Sequence, residues 1–120
     1  MVPWDIEFTN EFDSWWDTLD VDEQERIRSA IEILEEDGPG LGRPLVDSLK
    51  GSRHAHMKEL RPPGGHLRVL FAFDPRRTAI LLLGGDKTGQ WSAFYERAIP
   101  EADRLYDEHL AELRQEGEIP

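Results

Sequence analysis

The apolar positions change period several times along the chain, and each change marks an element. In "WDIEF", Trp4, Ile6 and Phe8 alternate with Asp5 and Glu7, the period of two of a strand with one wet face. Phe12, Trp15, Trp16 and Leu19 follow at helical spacing, with Thr9 or Asn10 placed as the cap. A second helix begins near Asp20, where Glu23 completes a capping box. Its apolar stripe is Ile27, Ala30, Ile31 and Leu34, and Gly38-Pro39-Gly40 ends it. "LGRPLVDSLKGS" reads as a loop anchored by Leu41, Leu45, Val46 and Leu49. "HMKEL" reads as a short strand, and "RPPGG" as a turn whose prolines have no N–H to continue a ladder. In "HLRVLFAF", Leu67, Val69, Phe71 and Phe73 alternate with Arg68, Leu70 and Ala72. "DPRR" sets Pro75 at the second position of a tight turn, and "TAILLL", apolar on both faces, reads as a central strand. "SAFYERAI" forms a helical turn, and the last helix is expected to start at Pro100, with Ala102, Leu105, Tyr106, His109, Leu110 and Leu113 on its stripe.

The order β α α β β β α predicts an α+β fold. It is a small antiparallel β-sheet meander packed by two N-terminal helices and a C-terminal helix, the helices covering one face. A chain of 120 residues suits one domain, residues 1–120. The lack of cysteine excludes disulfides, thiolate catalysis and Cys-based zinc sites, and fits a reducing cytoplasm. "MVPWDIEF" has neither a basic n-region nor an apolar h-region. The longest apolar run, "AILLL", is far short of the ~20 residues a membrane span needs. The expectation is a soluble cytoplasmic protein with no membrane partner.

Charge is uneven. The net charge is −11, but residues 1–42 carry −11, residues 43–97 carry +5 and residues 98–120 carry −5. Charges beyond a Debye length, ~8 Å in physiological salt, are largely screened from each other. A basic central face can therefore hold phosphate on an acidic protein, while long-range steering toward nucleic acid is weak. The plainer alternative is solvated acidic helices and scattered bases.

The stretch "LLLGGDKTGQW" admits three readings. A phosphate-cradling P-loop brackets four residues between glycines before Lys-Ser/Thr, a spacing absent here. Asp-Lys-Thr-Gly is also found in the phosphorylated loop of ion-pumping ATPases, which need further domains that 120 residues do not hold. The third reading is a strand-ending turn with Lys87 at its tip.

"MKELRP", "LRVLFAFDPRR", "LLLGGDKTGQW" and "YERAIPEADRLYDEHL" occur in this order and spacing. The series resembles the HigB-like branch of the RelE/ParE toxin superfamily over about two-thirds of the chain. In the N-terminal third only the strand–helix–helix plan agrees. The resemblance implies a small sheet with helices packed on it. It also implies cleavage of messenger RNA, often on the ribosome, and inhibition by a cognate antitoxin of helix-turn-helix type. It places basic site residues at Lys58, Arg61, Arg68 and Lys87, and at Tyr95, at the start of the last helix, an aromatic or acid–base residue.

The chemistry such an enzyme needs is compatible with these residue types. RNA is cut without a metal when its own 2′-oxygen attacks the adjacent phosphorus. The protein then supplies a proton acceptor, cations around the phosphorus and a proton donor for the leaving 5′-oxygen. Arg68 interrupts an apolar strand and must reach water, a ligand or an acid, the nearest being Glu59 across the hairpin. Trp91 is placed to stack on a base or to pack in the core. Arg53, His54, His56 and Arg76 belong to the basic block and are candidate RNA contacts. His54 and His56 alternate, as does a pair sharing a strand face, but a two-His zinc site lacks a third ligand. No metal or cofactor is therefore expected. His66 is a further proton carrier, and His109, on the last stripe, is structural. The superfamily also contains gyrase poisons that cut nothing. A non-enzymatic binding module, or an inactive relative that only binds an antitoxin, is thus the alternative.

Overall fold

The computed structural model describes residues 3–120, so Met1 and Val2, the start of the stretch read for a leader, lie outside the described residues. A five-stranded mixed sheet has the order β1-β5-β4-β3-β2, formed by Ile6–Phe8 (β1), Val46–Ser48 (β2), Lys58–Leu60 (β3), Leu67–Phe73 (β4) and Ala79–Asp86 (β5). Three helices accompany it: α1 (Asn10–Trp16), α2 (Val21–Asp37) and α3 (Trp91–Gln115).

Local signals set the helix starts. Thr9 caps α1, its hydroxyl accepting from the Phe12 N–H at 3.0 Å. Asp20 and Glu23 form the reciprocal capping box of α2, at 2.8 and 3.0 Å. Gly38 closes α2 at φ 63°, where a Cβ would fall 2.2 Å from Trp4 Nε1.

The sheet separates two cores. Leu67, Val69, Phe71, Ala79 and Leu81 face Phe12, Ile27, Ala30 and Leu34 of α1 and α2. Leu70, Ala72, Ile80 and Leu82 face Phe94, Ala98, Ala102 and Leu105 of α3. The helices thus cover both faces, where the sequence predicted one. The α+β class and the antiparallel β3-β4-β5 run are as expected, but β2 adds a strand where a loop was predicted, and β1 joins β5 in parallel, with Ile6 opposite Ala79.

Two further differences have clear causes. β2 is only three residues long, too short to show a period, and its pairing is supplied by β3. α3 starts at Trp91 and runs through Pro100. Phe94 and Ala98 before the proline, and Ala102 and Leu105 after it, bury against the same sheet face. That shared burial outweighs the one backbone bond Pro100 forfeits on the exposed side.

A bulge in β5 shifts the phase of its ladder with β4. Leu70 pairs with Leu83 but Phe71 pairs with Leu81, leaving Leu82 without a partner across β4. Leu82 and Leu83 both turn toward α3, and the Leu82 carbonyl accepts the Thr9 hydroxyl instead. The rephased ladder sets Gly85 opposite Arg68.

Candidate active site

The alternation of β3 and β4 decides which charges meet. Glu59 lies opposite Leu70, and Arg68, two residues earlier on β4, shares the α3 face with it. Gly85, opposite Arg68, has no side chain, and a Cβ there would lie 2.4 Å from Phe94 Cε1. That vacancy lets the first turn of α3 sit down on the sheet, and the next residue, Tyr95, reaches over β4 to β3. Its hydroxyl donates to Glu59 Oε2 at 2.6 Å. Arg61, just past β3, donates through Nε to Glu59 Oε1 at 2.8 Å and also lies 3.3 Å from Asp47.

The remaining cations close the cluster. Arg68 is 9% exposed; one terminal nitrogen donates to the Leu67 carbonyl at 2.8 Å, and its buried Nε has no partner among the described residues. Lys87, 5% exposed, follows β5, its N–H donating to the His66 carbonyl at 3.1 Å. The Lys87 ammonium lies 3.7 Å from the Trp91 ring centroid and 5.7 Å from that of Tyr95. Trp91 itself is exposed, with the His66 ring 6.2 Å away.

Protonation follows from these neighbours. Burial, and then the positive Arg68, push the Lys87 ammonium below its usual range. Burial, and then the Glu59 carboxylate, push the Tyr95 hydroxyl up to about 12. Tyr95 therefore keeps its proton at neutral pH. The cluster presents one buried carboxylate, a tyrosine that orients it, and three cations on one face. That is a proton acceptor beside donors able to grip an anionic group. The loop after β5 is a turn, with Asp86 taken up by the Thr88 N–H at 2.8 Å and by its hydroxyl.

Arg61, Arg68, Lys87, Tyr95 and Trp91 thus come together, with His66 at the rim. Lys58 does not. β3 turns it to the α2 face, where it donates to the Pro39 carbonyl at 3.3 Å beside Phe73. Arg53 and His54 are held by α3: both bond the Asp107 carboxylate, and the Arg53 N–H donates to Asp103 at 3.0 Å. Asp107 lies twelve residues beyond Tyr95 on the helix, ~18 Å away at 1.5 Å per residue. His56 is exposed in a cleft with Lys58 and Arg77, so the two histidines share no face. Arg76 is bound to Asp74 at 2.8 Å and Glu7 at 2.9 Å, at the opposite end of β4 from Arg68. His109 contacts Asp74 at 2.9 Å, the structural role expected of it. Grooves of about 510, 460 and 350 Å³ open elsewhere, and none is lined by Arg61, Arg68, Lys87 or Tyr95.

Glu59 holds a larger place than the sequence suggested, where it stood only as a partner for Arg68. It is 2% exposed between Met57 and Leu60. A charge inside an apolar strand must find a partner, the signal that marks Arg68; β3 reads Lys-Glu-Leu, and only burial in the fold marks Glu59.

Comparison with known proteins bears on the family and the fold. The profile of the phage-derived protein Gp49-like family matches residues 14–107. The chain is 50% identical over 103 residues to a Mycobacterium tuberculosis protein named as toxin HigB2, covering 83% of this chain and 51% of that one. It is 50% identical over 97 residues to one named as toxin HigB3 from the same organism, covering 81% of this chain and 85% of that one. The chain thus spans about half the length of the first relative and most of the second. The archaeal RelE of a RelE–RelB complex from Pyrococcus horikoshii superposes with TM-score 0.59 at 16% identity, over 72% of this chain and 98% of that one. The isolated E. coli RelE toxin does so with TM-score 0.58 at 12% identity, over 78% and 97%. At such identities the likeness speaks for the fold, which is RelE-like. Family profile, relatives and sheet topology agree: the chain belongs to the Gp49-like family, within the HigB-like branch of the RelE/ParE superfamily.

Proposed function

We propose that the chain is a metal-independent endoribonuclease, the toxin of a type II toxin–antitoxin pair. Its substrate is messenger RNA on the ribosome, and a cognate antitoxin holds it in check. The observation that carries the reading is the pairing of a buried, oriented carboxylate, Glu59, with two buried cations that no carboxylate engages among the described residues, Arg68 and Lys87. The toxin names of the two relatives and the RelE–RelB complex support the biological setting.

Each group in the cluster then has one task. Glu59 takes the proton of the 2′-hydroxyl as that oxygen attacks phosphorus. Tyr95 and Arg61 hold the carboxylate in place, and Arg68 donates to the phosphoryl oxygens as negative charge grows there. Lys87, its ammonium made more acidic by burial and by Arg68, gives a proton to the leaving 5′-oxygen. The products are a 2′,3′-cyclic phosphate and a 5′-hydroxyl. Trp91, exposed beside Lys87, offers a stacking surface for a neighbouring base.

The test is induction in cells with mapping of RNA 5′ ends, alongside a purified oligonucleotide carrying one 2′-deoxy position. New 5′-hydroxyl ends that vanish in Glu59→Gln, and no cut at the deoxy position, are expected. Growth arrest without new ends would pass the molecule to the alternative of a binding module that poisons its target by occupancy.

A further inference from the structure

His56 and Lys58, two of the bases that the catalytic cluster leaves out, open onto a second site. With Arg77 they line a cleft of about 460 Å³ just past the end of α2, walled by Pro39, Phe73 and Pro75. Lys58 points to the α2 face of the sheet and its neighbour Glu59 to the α3 face. The sheet therefore separates this cleft from the catalytic cluster.

The cations of the cleft are uncommitted. Most of the arginines pair with a carboxylate, among them Arg26 with Asp22 and Arg104 with Glu101. Among the described residues no carboxylate pairs with His56, Lys58 or Arg77, and the Lys58 ammonium has the Pro39 carbonyl as its acceptor at 3.3 Å. Aromatic rings hold the two fixed cations instead. Lys58 Nζ lies 6.0 Å from the Phe73 ring centroid, and the Arg77 guanidinium 4.9 Å from that of Trp4. The two rings meet edge to face, 6.1 Å apart, so both cations rest on one aromatic pair. The carboxylate on the lining, Asp74, is already taken up by Arg76, His109 and the Thr78 N–H.

Arg77 is kept here against the preference of its backbone. Its φ of 68° is the only positive value at a non-glycine residue among the described residues. The turn closes with the Arg77 N–H donating to the Asp74 carbonyl at 2.7 Å and the Asp74 N–H to the Thr78 carbonyl at 2.9 Å. A glycine would adopt that conformation without strain. Strain at a single outlier points to a use for its side chain, and this one reaches the cleft.

We propose that the cleft binds a nucleoside monophosphate unit. Its phosphate sits on Lys58, Arg77 and His56, and its ring system against Pro39, Phe73 and Pro75. A phosphate monoester carries about −1.5 to −2 charges at neutral pH and three acceptor oxygens, which matches two fixed cations and an imidazole. A phosphodiester within a chain carries one charge and leaves a cation over. Apolar walls with a few convergent polar groups suit a small ligand with a flat ring. Two sources offer this chemistry, a free nucleotide and the 5′-phosphorylated end of an RNA. The site does not rest on the nuclease reading; a chain that cuts no RNA would still carry it.

The test titrates the whole chain with AMP and with adenosine, by calorimetry and by amide shifts. AMP should move the amides of His56, Lys58 and Arg77 and bind at least about tenfold tighter than adenosine. Lys58→Met, which keeps the stem on Phe73, and Arg77→Asn, which tolerates the left-handed turn, should each weaken AMP by about fivefold or more. Arg68→Ala, across the sheet, should change AMP binding by less than about twofold. Two short all-2′-deoxy oligonucleotides, one 5′-phosphorylated and one 5′-hydroxyl, separate the sources. Binding of the phosphorylated one as tight as that of AMP assigns the chain end, and weak binding of both assigns the free nucleotide. Equal binding of adenosine, no response to either cleft variant, or loss of AMP binding in Arg68→Ala would overturn the proposal. So would a 5′-hydroxyl oligonucleotide that binds as tightly as AMP.

Discussion

The pair Glu59 and Tyr95 allows the sharpest test of the catalytic reading. The Tyr95 hydroxyl donates to a carboxylate that is 2% exposed, at 2.6 Å. A hydrogen bond to a charged group contributes about 1.5–3 kcal/mol, against about 1 kcal/mol for a neutral pair. Tyr95→Phe should therefore cost about 2 kcal/mol, which for a domain of this size lowers Tm by about 8 °C. In a Glu59→Gln background the acceptor remains but is neutral, so the same change should cost only about 1 kcal/mol. The cycle then gives a coupling of about 1 kcal/mol. The phenol offers an independent readout. The raised Tyr95 value means that the folded state holds this proton more tightly than the unfolded chain. The stability it contributes is complete below pH 10 and is lost as pH rises toward about 12. Glu59→Gln should move the phenolate absorbance transition down toward the ordinary range, leaving the part due to burial. The sequence has two tyrosines, so the titration is done in a Tyr106→Phe background. An unmoved Tyr95 transition, together with no coupling in the cycle, would refute the idea that this hydrogen bond orients the carboxylate.

Other outcomes rest on the same structure. Arg68→Ala should lower the cleavage rate by about 10²–10³-fold in a single-turnover assay, while Lys58→Ala, on the opposite face, should change it by less than about twofold. Three site cations predict a shallow salt dependence, with log affinity for single-stranded RNA falling by about 2 per decade of salt; fluorescence anisotropy across a salt series measures it. Gly85→Ala forces a Cβ against Phe94 and should destabilise by about 1–3 kcal/mol and slow cleavage through Tyr95, as thermal melts and rates will show. Burial alone would raise the Asp74 carboxyl, but hydrogen bonds from Arg76, His109 and the Thr78 N–H outweigh it and hold it below 3.8. Its contribution is therefore present above pH 3.8 and lost as pH falls further. Asp74→Asn should lower Tm at neutral pH, and the gap to the parent protein should narrow in acid.

Periodicity, capping and turn chemistry act over a few residues, and those features could be read from the chain alone. The Asp20–Glu23 box, the stripe Ile27, Ala30 and Leu34, the alternation of β4 and the turn at Pro75 all appear where the sequence put them. Arg68 was legible as well, because a charge in an apolar strand needs a partner wherever that strand lies. Tertiary structure decided which surfaces meet. Tyr95 finds Glu59 across 36 residues, and β1 finds β5 across more than seventy. Lys58 and Glu59 are neighbours in the chain, yet the register of β3 on β4 sends one to each face. Arg53 and His54 looked free for RNA until α3 brought Asp103 and Asp107 beside them. A local pattern states which residues share a face. The packing of that face against a distant one depends on summed burial over the whole sheet, which no short stretch of sequence contains.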